Sequence, residues 1–439
     1  VVTFSRRWLV LFAMGALPLA LSGLLPLLRA LTAAWALLLI ALALVDRLRM
    51  PPLSLLTASR EVPDRLSLGV EDEVMLQVRN GSAAPARLEL RDTPPPTLAC
   101  DVADPTFLFD LQPHVRLQVS YHLKPTVRGD YLFGDLYLRV HGPLGLVHRI
   151  FQIPAGQGVK VYPNLREVAA LALAARRGRL QQSGQRKVRM QGIGHDFESL
   201  RDYQPDDEMR RIDWKATARR GRLVARQYEV EQSQSVLLAL DVGRTMRAEI
   251  DGVAKLEYAI KAALTLATVA AEADDRVGLL VFADQVRAFI PPGKGKVQVH
   301  AILEALYNMQ ADLTEPDYQA AFAYLQARWR RRSLVVCFTD LWDPDSSYRT
   351  IAALAGLQPR HLAVTVTLLD PRVLRASRQV CEHALDLYTR AVAIQMLEDR
   401  DEANAALTRR GVLVIDSPAD RLSAELVSHY LQVKERRRL

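Results

Sequence analysis

The chain has 439 residues, 57 of them lysine or arginine against 49 aspartate or glutamate, for a formal net charge of +8. At about 100–200 residues per domain the length predicts two or three domains, and a composition 49% hydrophobic and 24% charged excludes a disordered chain. Aromatic residues, at 7%, are thin for stacking on nucleic-acid bases, and Cys100, Cys337 and Cys381 stand too far apart for a CxxC zinc site or a disulfide framework, which suits a reducing compartment.

From Trp8 to Val45 the sequence is almost wholly apolar, interrupted chiefly by Ser22, Arg29 and Thr32. A spanning helix needs about 20 residues, so residues 1–50 are predicted as a transmembrane helical hairpin with its turn near Gly23, Pro26 and Arg29. Arg6 and Arg7 before it, and Arg47 and Arg49 after it, predict that both outer ends and the remainder of the chain face the cytoplasm. The alternative, a cleaved signal, is disfavoured because the run exceeds one h-region and lacks a clear small-residue cleavage site.

Residues 53–162 carry short alternating runs, "EVMLQVRN", "RLQVSYHL", "DYLFGDLYLRV" and "GVKVYP", separated by turn signals at Asn80-Gly81, "TPPP", Arg128-Gly129-Asp130 and "HGPLGL". This spacing predicts an immunoglobulin-like β-sandwich. Residues 163–193 read as a basic linker: "EVAALALAARRGRL" has helical character, and "QQSGQRKVRMQG" reads as a loop. Its positive charge suits a solvated connector or contact with anionic lipid better than nucleic acid, because aromatic interleaving is missing.

Residues 194–234 interleave Phe197, Leu200, Tyr203, Ile212 and Trp214 with charges of both signs, among them Arg201, Asp202, Asp206, Arg210, Asp213 and Arg219. Such a mixture is buried only if the charges pair, since an unpaired buried charge costs several kcal/mol. The segment is therefore expected to be a structural latch, a partner-docking surface, or both.

From residue 235 to 432 the runs "VLLALD", "RVGLLVFA", "SLVVCFTD", "LAVTVTLLD" and "GVLVID" alternate with amphipathic stretches over Leu256–Ala273, Val297–Met309 and Tyr318–Trp329. Continuous apolar strands between helices specify a doubly wound α/β sheet, and residues 433–439 add a basic tail. Ligands of such sheets bind beyond the carboxyl ends of the strands, where Asp241, Asp340, Asp370 and Asp416 fall. Asp241, Thr245, Thr314 and Asp340 are the candidate oxygen ligands for Mg²⁺. The competing expectation is that each simply caps the helix that follows.

"FESLRDYQPDDEMRRIDWKATAR" and "VRGDYLFGDLYLRVHGPLGL", together with the apolar start and the strand-helix alternation, resemble a bacterial family catalogued as domain of unknown function 58. The family usually has a glycine after the proline where Asp206 stands here, and an aspartate where His141 stands. The resemblance implies an inner-membrane protein with a von Willebrand factor A-like domain that accompanies MoxR-type AAA+ ATPases. It also implies an adhesion-type metal site of the form Asp-x-Ser-x-Ser. Asp241 and Thr245 match the first and last positions, and Gly243 replaces the middle serine.

No GxSxG or HExxH is present, and "GKGK" at Gly293–Lys296 lacks the spacing of a phosphate-binding loop. The expectation is a non-catalytic, membrane-anchored adaptor whose partner is a MoxR-type ATPase or its client. The alternatives are a Mg²⁺-dependent phosphohydrolase using Asp241 and Asp340, and a cell-envelope scaffold acting through the sandwich.

Overall fold

The structure, a computed structural model, describes residues 2–16, 18, 27–183, 196–204, 209, 212–229, 233–341, 344–358, 360–381 and 383–435. The chain divides into two units, Val1–Asn164 and Leu165–Leu439.

The first unit begins with strand β1 (Val2–Phe4), helix α1 (Arg6–Met14) and helix α2 (Leu27–Leu48). At 1.5 Å per residue α2 is about 33 Å long, and it is the one helix among the described residues long and apolar enough to cross a membrane. Its Leu31, Leu37, Leu38, Ile40 and Leu44 face outward, the reverse of a soluble helix. α1 is described over nine residues, and the predicted turn at Gly23 and Pro26 lies outside the described residues. The two helices touch closely: the Trp35 indole N–H donates to the Leu11 carbonyl at 3.0 Å, and a Cβ on Gly15 would stand 2.6 Å from the Trp35 ring.

Strands β2 (Leu56–Glu61), β3 (Arg65–Ser67), β4 (Asp72–Asn80), β5 (Ala86–Arg91), β6 (Leu98–Cys100), β7 (Thr106–Leu111), β8 (Arg116–Pro125), β9 (Gly129–Phe133), β10 (Leu136–His141), β11 (Val147–Ile153) and β12 (Gln157–Tyr162) follow. They form sheets ordered β1-β11-β10-β5-β7, β2-β4-β8-β6 and β3-β12-β9, antiparallel except for the β3–β12 pair. The period of two in the sequence is realised directly. Val74, Leu76 and Val78 of β4, Leu88 and Leu90 of β5, and Leu138 and Val140 of β10 point into one shared core. Inside it Arg60 is held by Asp92 at 2.6 Å, and Asp92 also accepts the Tyr121 hydroxyl at 2.8 Å.

The second unit opens with α3 (Leu165–Ser183), whose Val168 and Ala172 are buried and whose Glu167 pairs with Lys261. The first half of the expected 163–193 linker is thus a packed helix of this unit, because its small apolar residues recur at helical spacing. Strand β13 (Asp196–Asp202), helix α4 (Trp214–Arg220) and strand β14 (Val224–Glu229) come next, β13 and β14 pairing antiparallel.

The main sheet contains β15 (Ser235–Asp241), β18 (Arg276–Phe282), β19 (Val286–Gly293), β20 (Leu334–Phe338), β21 (Leu362–Leu369) and β22 (Leu413–Pro418), with a two-residue ribbon, β16 (Glu249–Ile250) and β17 (Val253–Ala254), beside it. The order is β19-β18-β15-β20-β21-β22. All pairs are parallel except β18–β19, an antiparallel edge that the sequence reading missed; Pro291 and Pro292 near its end are tolerated only because it is an edge. Helices α5 (Lys255–Glu272), α6 (Gly295–Leu306), α7 (Tyr318–Arg328), α8 (Pro344–Ala355), α9 (Pro371–Arg378), α10 (Ala384–Arg409) and α11 (Leu422–Glu435) complete the unit. Phe322 and Leu325 of α7, Ile351 and Leu354 of α8, and Ala403 and Leu407 of α10 cover one face of the sheet. Leu426 and Tyr430 of α11 lie against the other. With both faces covered, every residue of β15 is buried, which is why that run reads as uninterrupted hydrophobicity.

Candidate functional site

The order of the parallel strands reverses between β15 and β20, so their carboxyl ends open a crevice at that point. Asp241 ends β15, and the chain turns at once: Gly243 N–H donates to Asp241 Oδ1 at 2.7 Å, and Arg244 N–H donates to the Thr314 carbonyl at 3.0 Å. The loops bearing Thr245 and Thr314 are therefore tied together. A Cβ on Gly243 would stand 2.8 Å from Pro316 Cδ and 3.0 Å from the Thr314 carbonyl. Glycine stands where the adhesion pattern has serine because the neighbouring loop fills the space.

The other oxygen of Asp241 accepts the Tyr318 hydroxyl at 2.7 Å and the Thr339 hydroxyl at 2.9 Å. Burial pushes its carboxyl above the usual carboxylate range; Tyr318, Gly243 and Thr339 pull it back in part, and Asp340 pushes the same way as burial. Burial likewise raises the Tyr318 hydroxyl and the Cys337 thiol well above their ordinary values, which keeps both protonated and unreactive.

Asp340 is engaged differently. Its Oδ2 takes the Lys255 ammonium and its Oδ1 takes Arg400 Nη1 at 2.9 Å. Arg400 continues to Asp416, Nη2 to Oδ1 at 2.7 Å and Nε to Oδ2 at 3.0 Å, and Asn404 and Thr367 add to the same carboxylate. Burial works against the Arg400 charge, and Asp416 and Asp340 outweigh it, so its pKa rises. Asp370 caps α9, accepting from Arg372 N at 2.8 Å and pairing with the Arg372 guanidinium at 2.9 Å. Burial tends to raise its carboxyl, but these contacts hold it below the usual range. Of the four strand-end aspartates, Asp370 is the N-cap of the helix that follows it.

The expected Mg²⁺ site at Asp241, Thr245, Thr314 and Asp340 does not fit this arrangement. Both oxygens of Asp340 already face cations, both oxygens of Asp241 accept hydrogen bonds, and Gly243 supplies no hydroxyl. A divalent ion here would meet the Lys255 ammonium and find no free carboxylate. Among the described residues no group of three or more His, Cys, Asp or Glu side chains is disposed to hold a metal. Thr245 Oγ1 and Thr314 Oγ1 are buried without a hydrogen-bond partner among the described residues. A cleft of about 1000 Å³ opens beside them, lined by Arg244, Thr245, Glu315, Asp317, Tyr348 and Arg349, with Arg244 paired to Glu315 at 3.1 Å.

Lys255 and Arg400 were missed in the sequence, although a signal was present. Lys255 begins the stripe Ala259, Ala262, Ala263, Leu266, and Arg400 begins the stripe Ala403, Leu407. A lone cation on the apolar stripe of a helix must find a buried anion.

The described residues of 194–234 form an antiparallel strand pair and a short helix. Asp202 pairs with Arg222 at 2.8 Å with both side chains more than half exposed, which adds little stability. Tyr203 N–H donates to the Leu223 carbonyl at 2.9 Å, and Arg201 sits opposite Ala225 in the β13–β14 register. Asp213 caps α4, accepting from Ala216 N at 2.9 Å; Arg219 lies in the last turn, where the helix dipole favours it. Trp214 is 64% exposed. In the described part Ile212, Val224 and Ala225 are buried, and the Asp202–Arg222 pair faces solvent. Asp206 and Arg210 lie outside the described residues.

These features define a doubly wound α/β domain whose strand-end carboxylates are engaged by cations and hydrogen-bond donors of the domain itself. Residues 199–376 match the family described as Protein of unknown function DUF58. An uncharacterized protein of Mycobacterium tuberculosis is 27% identical over 183 residues, 41% of this chain and 57% of that one. The uncharacterized protein YeaD of Bacillus subtilis is 27% identical over 125 residues, 28% of this chain and 31% of that one. The chain thus spans little more than half the length of the mycobacterial relative. Among solved structures, the CARDB domain of the PF1109 protein from Pyrococcus furiosus, in complex with di-metal ions, is 16% identical with a TM-score of 0.18, covering 26% of this chain and 96% of that one. Native alpha-2-macroglobulin from Escherichia coli gives 19% and 0.20, covering 26% of this chain and 17% of that one.

Proposed function

We propose that the chain is a non-catalytic, membrane-anchored adaptor that docks a partner protein at the rim of its α/β sheet without a divalent ion. One observation carries this reading: the strand-end carboxylates are consumed by Lys255, Arg400, Arg372 and hydroxyl donors, while an open cleft beside them is lined by Arg349 and by Arg244, which pairs with Glu315 at 3.1 Å. Exposed arginines at the mouth of a cleft suit an acidic surface on another protein. Exposed Leu385, Leu387 and Tyr388 at the start of α10 and exposed Trp214 add the apolar anchors that protein interfaces use.

A von Willebrand factor A-like reading of the sheet is supported by its strand order, its antiparallel edge and the Asp241-to-Thr245 turn. The resemblance to the MoxR-associated family nominates a MoxR-type AAA+ ATPase, or that ATPase's client, as the partner. The outward apolar face of α2 and the flanking Arg6, Arg7, Arg47 and Arg49 support an inner-membrane anchor, a helical pair with its soluble parts in the cytoplasm. A phosphohydrolase needs Asp241 or Asp340 free to take a proton or a metal, and both are fully engaged.

The test is affinity capture from detergent-solubilised membranes in ATP and EDTA, with wild type and Arg244→Glu/Arg349→Glu. The wild type is expected to retain an AAA+ ATPase, and the charge-reversed variant to retain about tenfold less, as for a loss of about 1.4 kcal/mol. Absence of the ATPase, or equal recovery by both, overturns the reading.

A further inference from the structure

The foot of the first unit carries a second cleft, of about 830 Å³, that the docking function leaves unused. Arg6 and Arg7 from the start of α1, Arg49 just past the end of α2, Arg87 of β5, His141 of β10 and Gly145 line it. The loop at its base is rigid: Asp46, fully buried in the last turns of α2, accepts the backbone N–H groups of Leu144 at 2.6 Å, Leu146 at 2.8 Å and Val147 at 2.9 Å.

Three of the arginines in this cleft lack counter-ions among the described residues. Among the described residues Arg6, Arg7 and Arg49 have no acidic partner within ion-pair distance, and all three are exposed. Two carboxylates also line the cleft: Glu89 is taken by Arg139 at 2.8 Å and His141 at 3.3 Å, and Asp110 approaches Arg87 at 3.8 Å. Arg6 and Arg7 also occupy the first turn of α1, which holds no acidic residue. Helix N-termini carry partial positive charge and favour anions, so two arginines there repel both the dipole and Arg49 unless an anion sits between them.

Leu9, Val10 and Phe12 of α1 and Leu44 and Leu48 of α2 are exposed immediately beyond these arginines. The boundary between apolar helix surface and arginine is where a bilayer's headgroups lie. We propose that this cleft binds the phosphodiester headgroup of an anionic membrane lipid, with the Arg7 and Arg49 guanidinium forks as its principal donors. Guanidinium suits this role through bidentate bonds to phosphate oxygens. The proposal rests on the membrane-anchor reading and adds a defined, headgroup-selective site to it.

The test uses the full chain purified in dodecyl maltoside and stripped of lipid. Phosphatidylglycerol, phosphatidylcholine and inorganic phosphate are added separately, and the melting midpoint and the lipid retained in native mass spectrometry are read. At about a hundredfold excess over Kd, phosphatidylglycerol is expected to raise the midpoint by roughly 5 °C and to be retained, with little effect from the other two. Arg7→Gln/Arg49→Gln is expected to lose the shift, and Arg7→Lys/Arg49→Lys to keep part of it, which separates a folding defect from a lost site. Equal shifts with phosphatidylcholine, an equal shift with inorganic phosphate, or an undiminished shift in the glutamine variant overturns the site. Cell fractionation separates the two levels: a chain found in the soluble fraction defeats the anchor reading, whereas a membrane-bound chain without headgroup selectivity defeats only the cleft.

Discussion

The foot of the sandwich and the rim of the α/β sheet each hold a buried aspartate among cations, and they resolve the charge in opposite ways. At the foot, Asp46 is satisfied by three backbone N–H groups of one loop, so the arginines around it are left over. At the rim, Asp340 consumes Lys255 and shares Arg400 with Asp416, so the cations are used up and neutral hydroxyls are left over. A buried carboxylate can be stabilised by dipoles or by opposite charge. The choice decides what remains for a ligand: surplus positive charge at the foot, neutral donors behind exposed arginines at the rim.

The sharpest break of this comparison is Asp340→Asn. It leaves Lys255 buried without its carboxylate and is expected to destabilise the second unit by about 3–5 kcal/mol, read by chemical denaturation of the full chain in detergent. Asp241→Asn, which strands no cation, is expected to cost only about 1 kcal/mol. Equal losses in the two variants, both enlarged by Mg²⁺, would restore a metal site at the rim. At the foot, Asp46→Ala removes the acceptor of three backbone donors and is expected to cost about 3 kcal/mol in the first unit. Gly142→Ala, whose Cβ would stand 2.4 Å from Asp46 Cγ, is expected to cost about 1–3 kcal/mol through the same loop.

Gly243→Ser tests whether the adhesion pattern can be rebuilt. The added atoms meet Pro316 and the Thr314 carbonyl, so a loss of about 1–2 kcal/mol with no gain in Mg²⁺ affinity is expected, read by calorimetric titration. The smallest effect concerns His361, buried with neither ring nitrogen hydrogen-bonded among the described residues. Burial, with Arg360 nearby, holds its pKa below the ordinary value of 6.5. A base with a lowered folded pKa favours the unfolded state once protonated, so stability is full above pH 6.5 and declines as pH falls from there towards the folded value. His361→Leu is expected to flatten that part of the pH–stability curve, and an unchanged slope would show that another group titrates.

Much of the first unit was legible because its signals are periodic and local. The run "EVMLQVRN" became β4 with Val74, Leu76 and Val78 inward, and Asn80-Gly81 became a turn in which Asn80 Oδ1 accepts from the Ser82 N–H at 3.0 Å. β1 was not legible, since three residues carry no period and gain their pairing only from β11. In the second unit the five parallel strands stood out as apolar runs, whereas β19, with two prolines and no clean alternation, did not. At the rim the sequence placed Asp241 and Asp340 at strand ends but assigned them a metal ion. Lys255 stands 85 positions from Asp340 and Arg400 stands 60, and no local pattern links them.

The amino-acid order alone thus determined where strands, helices and the apolar anchor segment fall, because hydrophobic period and turn chemistry act over a few residues. Which cation meets which carboxylate was decided by the tertiary structure, because electrostatic pairing in a buried site depends on distances set by several remote elements at once. That is the physical reason the rim holds a lysine ammonium and an arginine where the local motif suggested a metal.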